Sequence, residues 1–136
     1  MNKLSVQMDS DETQVCLVAK CIRCYCEHHL IDGQLAFQIV TCVMEAINNV
    51  LEHALTGEKD QRIIVVCKIK EESIVIEVFD RGLQMTDKPS LGMPALDSEQ
   101  GRGWNILRRW MDEVSYRRHR GENRLRLKKN IYATTK

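Results

Sequence analysis

Apolar residues along the chain recur with two different periods, and the changes of period mark the elements. From Asp11 to about Leu30, Val15, Val18, Ile22, Tyr25, Cys26 and His29 fall along one stripe, which predicts an amphipathic helix with Ser10 or Asp11 as its cap. Asp32-Gly33 marks a turn, and a second long helix is expected from about Gln34 to Leu55. The period then drops to two. Residues 3–9, RIIVVCKIK (62–70) and SIVIEVFD (73–80) read as strands, the last two joined as a hairpin by Glu71 and Glu72. GEKD (57–60) is a turn between helix and strand. A third helix is expected from near Gly103 through WNILRRWMD, and EVSYRRH and NRLRLKKNI form a second hairpin around Arg120-Gly121-Glu122. Residues 81–100 hold both prolines and form a long loop, a length that usually signals a functional lid or disorder. No repeat or linker interrupts the pattern. The expectation is one domain over residues 1–136, an α/β two-layer sandwich with helices on one face of a mixed, largely antiparallel sheet.

The second helix carries more than a core stripe. Ile39, Val40, Val43, Ile47, Val50 and Ala54 fill one sector, while Glu45, Asn49, Glu52 and His53 fall in the opposite one. A solvated face gives the same division. Glu45 and Asn49, however, stand one turn apart as two oxygen donors with no cation at that spacing. Such a pair can hold a hard cation or its water shell while the carboxylate acts as a base.

Composition narrows the classes. With 43% hydrophobic and 29% charged residues the chain reads as an ordinary globular protein, and 5% aromatics argue against stacking platforms for single-stranded nucleic acid. No apolar run approaches the length of a membrane span and no signal-peptide core opens the chain, so a cytoplasmic protein that does not engage a membrane is expected. Six cysteines include four in CLVAKCIRCYCEHH, but Cys21 and Cys24 lie off the apolar stripe and no second ligand pair follows at finger-like spacing. Reduced thiols without structural zinc are expected. Net charge is +1, yet eleven Lys or Arg face three acids from Arg102 onward. Leu125 and Leu127 alternate with Arg124, Arg126 and Lys128, so the basic run reads as the wet face of a half-buried strand, with no direct nucleic-acid contact expected.

Two short motifs flank the long loop. Asp80-Arg81-Gly82 ends a strand, where a carboxylate can accept a hydrogen bond from an exocyclic amine. Gly101-Arg102-Gly103 opens the next helix, where unpaired N–H groups and the dipole favour phosphate. With the Glu45/Asn49 helix, they fit a nucleotide held between three elements.

The sequence E-A-x-x-N-x-x-x-H (45–53), then D-R-G (80–82), then G-R-G-x-x-I-L-x-x-x-M-D-E-V (101–114), resembles the bacterial anti-sigma-factor serine/threonine-protein kinases. These are small relatives of gyrase, heat-shock chaperones, histidine kinases and mismatch-repair ATPases, and the likeness covers nearly the whole chain. The resemblance implies a Bergerat-type ATP-binding fold with ATP and Mg²⁺. It implies Glu45 as the base that activates the attacking hydroxyl and Asn49 as the Mg²⁺ ligand. It further implies Asp80 on the adenine amino group, Gly82 in the turn beneath the base, and Gly101 and Gly103 at the phosphates with Arg102 between them. His53 continues the first motif. The implied activity is partner switching: binding a sigma factor or similar target, and phosphorylating a serine on an anti-sigma-factor antagonist (STAS-like) domain, with a homodimer as the working form. Where the family pattern reads D-x-G-x-G, this chain reads D-R-G-L-Q, with Gln84 at the second glycine. A strained turn or a differently routed loop is expected there, with slowed turnover. The alternative reading is a weakly catalytic or non-catalytic partner-switch module that retains the fold. The catalytic domain of a two-component histidine kinase is disfavoured, because no phospho-acceptor helix pair is expected ahead of the first motif.

Overall fold

The computed structural model describes residues 2–55, 61–85 and 99–131, with residues 99–103 described by backbone alone. Five strands form one sheet: β1 (Asn2–Asp9), β2 (Arg62–Lys70), β3 (Ser73–Asp80), β4 (Glu113–His119) and β5 (Glu122–Asn130). Their order is β1-β2-β3-β5-β4 and every pairing is antiparallel, so no parallel pair is present among the described strands. Among the described residues, three α-helices accompany the sheet, α1 (Val15–His28), α2 (Gly33–Asn49) and α3 (Glu99–Trp110), and α2 packs against both α1 and α3.

Strand alternation builds the core. Met8, Ile63, Val65, Cys67, Ile74, Ile76, Val78, Leu125 and Leu127 are buried on the inner face of the sheet. Against them lie Ile22 and Cys26 of α1, Ile39, Val43 and Ile47 of α2, and Trp104 and Leu107 of α3. Each fully buried large aliphatic contributes about 1.5–3 kcal/mol. Burial pushes the thiol of Cys26 up to about 11 and those of Cys42 and Cys67 up to about 12, so these three behave as small hydrophobes. On the outer face the basic strand residues are engaged in ion pairs. Arg124 and Lys68 flank the buried Glu77, while Arg126 and Lys128 reach Glu113.

Three boundaries differ from those the periodicity predicts. The first helix starts as a 3₁₀ turn (Glu12–Gln14) capped by Asp11, whose carboxylate accepts from the Thr13 N–H at 2.9 Å; α1 proper begins at Val15. The second begins at Gly33, because Asp32 turns out to be its cap, accepting from Gln34 and Leu35 N–H groups. The third starts at Glu99, four residues ahead of the expected Gly103. The turn at 57–60 lies outside the described residues. Together with its continuation to Ala54, α2 is long and apolar enough by length and composition to cross a membrane, contrary to the expectation that no run approaches that length. Here the apolarity serves the core: Ile39, Val43, Ala46, Ile47 and Val50 are fully buried between sheet and flanking helices.

The end of α1 shows a removable strain. Leu30 sits at φ 58 with its side chain 88% exposed, in a Schellman arrangement where Ile31 N–H reaches Cys26 O and Leu30 N–H reaches Glu27 O. Left-handed backbone costs a non-glycine residue about 1–2 kcal/mol, and glycine gives part of that back through its freer unfolded chain. Leu30→Gly should therefore stabilise the fold by about 0.5–1 kcal/mol, read as a higher denaturation midpoint with an unchanged slope. A lower midpoint would contradict it.

Candidate functional site

Asn49 ends α2, and the next five residues form a π-helical turn (Val50–Ala54), closed by Leu55 N–H to Val50 O at 3.0 Å. A π-turn inserts one residue into the helical repeat, a distortion frequent at functional sites. Here it presents the Ala54 carbonyl sideways to the strand exit after β3, where it accepts from the Leu83 N–H at 2.8 Å. Gly82 lies directly on this contact. A Cβ at Gly82 would run into the Ala54 carbonyl and stand 2.6 Å from Leu55 Cδ2, so only glycine allows the exit strand to dock on the π-turn. Gly82→Ala should cost about 2–3 kcal/mol and lower the melting temperature by roughly 10 °C. An unchanged melting temperature would show that the two segments separate freely.

Asp80, the last residue of β3, is 3% exposed. Its Oδ1 accepts from the Gly82 N–H at 2.7 Å and from Asn123 Nδ2 at 2.8 Å. Burial pushes its carboxyl above the usual carboxylate range, opposed by the hydrogen bonds from Asn123 and Gly82 and by the Arg118 charge. Among the described residues, no hydrogen bond reaches Oδ2. The buried carboxylate thus keeps one oxygen for a donor from outside.

Glu45 and Asn49 stand one turn apart on α2. Asn49 is 6% exposed, so the polar sector of this helix is not simply a solvated face. Its buried Nδ2 has no hydrogen-bond partner among the described residues. An orphaned buried donor costs about 1–3 kcal/mol, a cost that a phosphate oxygen would remove. The neighbouring carboxamide oxygen is a hard donor of the kind that suits Mg²⁺. Glu45 is half-buried, and its carboxyl is raised first by desolvation and then by the charge of Glu52. His53, with Nε2 3.6 Å from Glu52 Oε2, belongs to the π-turn.

The position of the first turn of α3 is set by how α3 crosses α2. Phe37, near the start of α2, meets Trp110 at the end of α3 with ring centroids 6.0 Å apart and the planes tilted by 56°; further on, Cys42 Sγ meets Ile106 O at 3.9 Å. The helices therefore run antiparallel, and the first turn of α3 points toward Glu45 and Asn49. Because α3 starts at Glu99, Gly101 and Gly103 lie inside its first turns instead of ahead of it. The side chain of Arg102 lies outside the described residues. The fold thus gathers Glu45, Asn49, Asp80 and Gly82, together with the backbone of Gly101–Gly103, around the C-terminal half of α2. Among the described residues, cavities of about 340 and 480 Å³ open on the outer side of the sheet; Asp80 lines the first, and Glu45 and Asn49 line neither.

Residues 8–129 match the histidine kinase-like ATPase domain family. The chain belongs to that family. It is 29% identical over 100 residues to the serine/threonine-protein kinase BtrW of Bordetella bronchiseptica, covering 70% of each chain. It is 27% identical over 82 residues to an anti-sigma F factor of Oceanobacillus iheyensis, covering 57% of this chain and 56% of that one. Among solved structures, the RsbU and RsbW domains of a Mycobacterium tuberculosis protein superpose with a TM-score of 0.73 at 16% identity, over 96% of this chain and 33% of that one. This chain thus spans a third of that structure. The SiaB–SiaC complex of Pseudomonas aeruginosa gives 0.66 at 18% identity, over 94% and 89%. At these identities the structural likeness speaks for the fold alone, and that fold is the α/β ATPase domain.

Within this ATPase domain, Gln84 departs from the family glycine without backbone strain. Its side chain is exposed and its φ is not positive, so the strained turn is absent, while the path of the loop beyond Met85 lies outside the described residues. The expectation of a lid at 84–100 falls largely on residues 86–98, outside the described ones. Sequence reasoning missed Asn123, Tyr116 and Arg118, which surround Asp80. A signal existed for Asn123: it precedes Leu125 and Leu127 by the strand period, so it is a polar residue on a buried face.

Proposed function

We propose that this chain is an ATP-dependent protein serine/threonine kinase of a partner switch. It binds a sigma factor or similar target and phosphorylates a serine or threonine on a STAS-like anti-sigma-factor antagonist. The carrying observation is the Glu45–Asn49 turn joined through the π-turn to the strand exit that carries the buried Asp80, the pair suited to phosphates and the single carboxylate to an amine. Similarity to a serine/threonine kinase and to an anti-sigma factor supports the choice of acceptor.

In this reading Asp80 accepts from the adenine amino group, Gly82 lets the turn approach the base, and the first turn of α3 with Arg102 meets the phosphates. Asn49 would hold Mg²⁺, which would supply charge neutralisation on those phosphates. Glu45 takes the proton of the acceptor hydroxyl as its oxygen bonds to the γ-phosphorus and the bond to the bridging oxygen breaks, releasing ADP. Catalysis rests mainly on positioning. A homodimer is proposed as the working form, with the exposed Leu17, Cys16 and Cys24 of α1 as one surface that could serve it.

The test is transfer of radiolabel from γ-labelled ATP with Mg²⁺ to the cognate antagonist domain. Labelled antagonist supports the kinase; nucleotide binding without label favours the second reading, a binding module that keeps the fold. Gln84 favours that second reading, and a severalfold gain in turnover from Gln84→Gly would attribute slow transfer to it.

A further inference from the structure

Asn123 of β5 stands directly across from Asp80 in the strand register and is 0% exposed. A buried carboxamide must satisfy two donors and an acceptor oxygen, and this one does so entirely within the strand exit. Its Nδ2 donates to Asp80 Oδ1 at 2.8 Å, Leu83 O at 3.0 Å and Gly82 O at 3.3 Å. Its Oδ1 accepts from the Tyr116 hydroxyl and from Arg118 Nη1, both at 2.8 Å. Arg118 Nη1 also donates to Gly82 O at 2.9 Å, and the Tyr116 oxygen accepts from the Met85 N–H at 2.9 Å. Beyond Asp80 the β-ladder has ended, yet the chain from Gly82 to Met85 stays held by side chains of β4 and β5. On its other side, Leu83 N–H is held by the π-turn.

We propose that Asn123, braced by Tyr116 and Arg118, is the positioning residue for purine-base selection: it saturates Asp80 Oδ1, fixes the carboxylate, and reserves Oδ2 for an amino donor. The inference rests on the reading of Asp80 as the adenine acceptor. Asn123 acts on Asp80 in two ways, alongside the Gly82 N–H that shares Oδ1. It occupies one carboxylate oxygen, so the carboxyl cannot rotate to offer either face. Its donor also favours the ionised, acceptor-only form, which burial alone would disfavour. An adenine nucleotide presents an amino donor to that oxygen. An inosine nucleotide presents a carbonyl oxygen at the same ring position, which an ionised carboxylate repels. Fixing Asp80 therefore separates the two bases. A carboxyl left free to turn and to take up a proton would accept both. The same latch holds the exit segment where the family's second glycine is missing, which lets Gln84 stand in solvent without a left-handed turn.

The full chain is titrated calorimetrically with Mg²⁺-ADP and Mg²⁺-IDP, as wild type, Asn123→Ser and Tyr116→Phe. Wild type should prefer ADP. In Asn123→Ser, ADP affinity should fall about tenfold while IDP affinity changes less than twofold, collapsing the preference. Tyr116→Phe removes the brace on Asn123 and the acceptor for the Met85 N–H while leaving both donors to Asp80 Oδ1 in place, and should shift the ratio the same way by about threefold. It also serves as the deciding variant if Asn123→Ser does not fold by circular dichroism. Parallel loss of both nucleotides would make Asn123 a merely structural residue and overturn the proposal, as would an unchanged ratio in a folded variant. Equal binding of ADP and IDP by wild type would instead overturn the Asp80 reading and the inference with it.

Discussion

Glu45→Gln keeps the nucleotide and loses the chemistry: binding of Mg²⁺-ATP within about twofold of wild type, and transfer to the antagonist slower by about 10²–10⁴-fold. The amide preserves the shape of the side chain on α2 but cannot accept the hydroxyl proton. Asn49→Ala should differ in kind, because it removes a hard oxygen from the phosphate side and weakens Mg²⁺-dependent binding itself. Glu45 also gives the reaction a pH signature. A base must be deprotonated, and burial with the nearby Glu52 raises the pKa of Glu45. Transfer should therefore fall as pH drops through that raised value, with the acidic limb of the rate profile lying above the ordinary glutamate range. In Glu45→Gln the limb should disappear. Wild-type transfer rates in Glu45→Gln would return Glu45 to the solvated polar face and leave the base unassigned.

Asp80→Asn should weaken ATP binding by roughly 5- to 150-fold, the equivalent of about 1–3 kcal/mol for a mispaired buried polar contact. One carboxylate oxygen becomes a donor, in a site whose remaining contacts already supply donors: the Gly82 N–H and the Asn123 amide both point at Oδ1. Either the new amide faces these two, or it faces the adenine amino group. Both arrangements lose a hydrogen bond. Because burial raises the carboxyl pKa, affinity of the wild type should also decline as pH falls, starting higher than for an exposed aspartate. Calorimetry at two pH values on both proteins measures both effects. Equal affinities would remove Asp80 from the nucleotide altogether.

Much of this molecule is written in local pattern. The period-two runs at 62–70 and 73–80 coincide with β2 and β3 residue for residue, since β-branched alternation with one buried face leaves a strand no second register. The core stripe of α1 and the antiparallel hairpins follow from the same short-range logic, as do the identities of Glu45, Asn49, Asp80 and Gly82 as unusual residues at unusual places. Other features needed the third dimension. The π-turn at Val50–Ala54 leaves no mark in helical periodicity, because one inserted residue shifts the stripe by less than the width of the apolar face. The early start of α3 lies in EQGRG, where two glycines make intrinsic helix propensity poor and packing against α2 decides. Gly82 read as a turn glycine at the end of a strand, whereas its decisive property is a missing Cβ against Ala54, a residue 28 positions away in the chain. Asn123 meets Asp80 only because β5 pairs with β3, bringing together side chains 43 residues apart. The chemistry of each side chain is a property of the sequence. Which polar groups share a buried space is a property of strand order and helix crossing, because only burial makes a hydrogen bond between distant residues worth more than one to water.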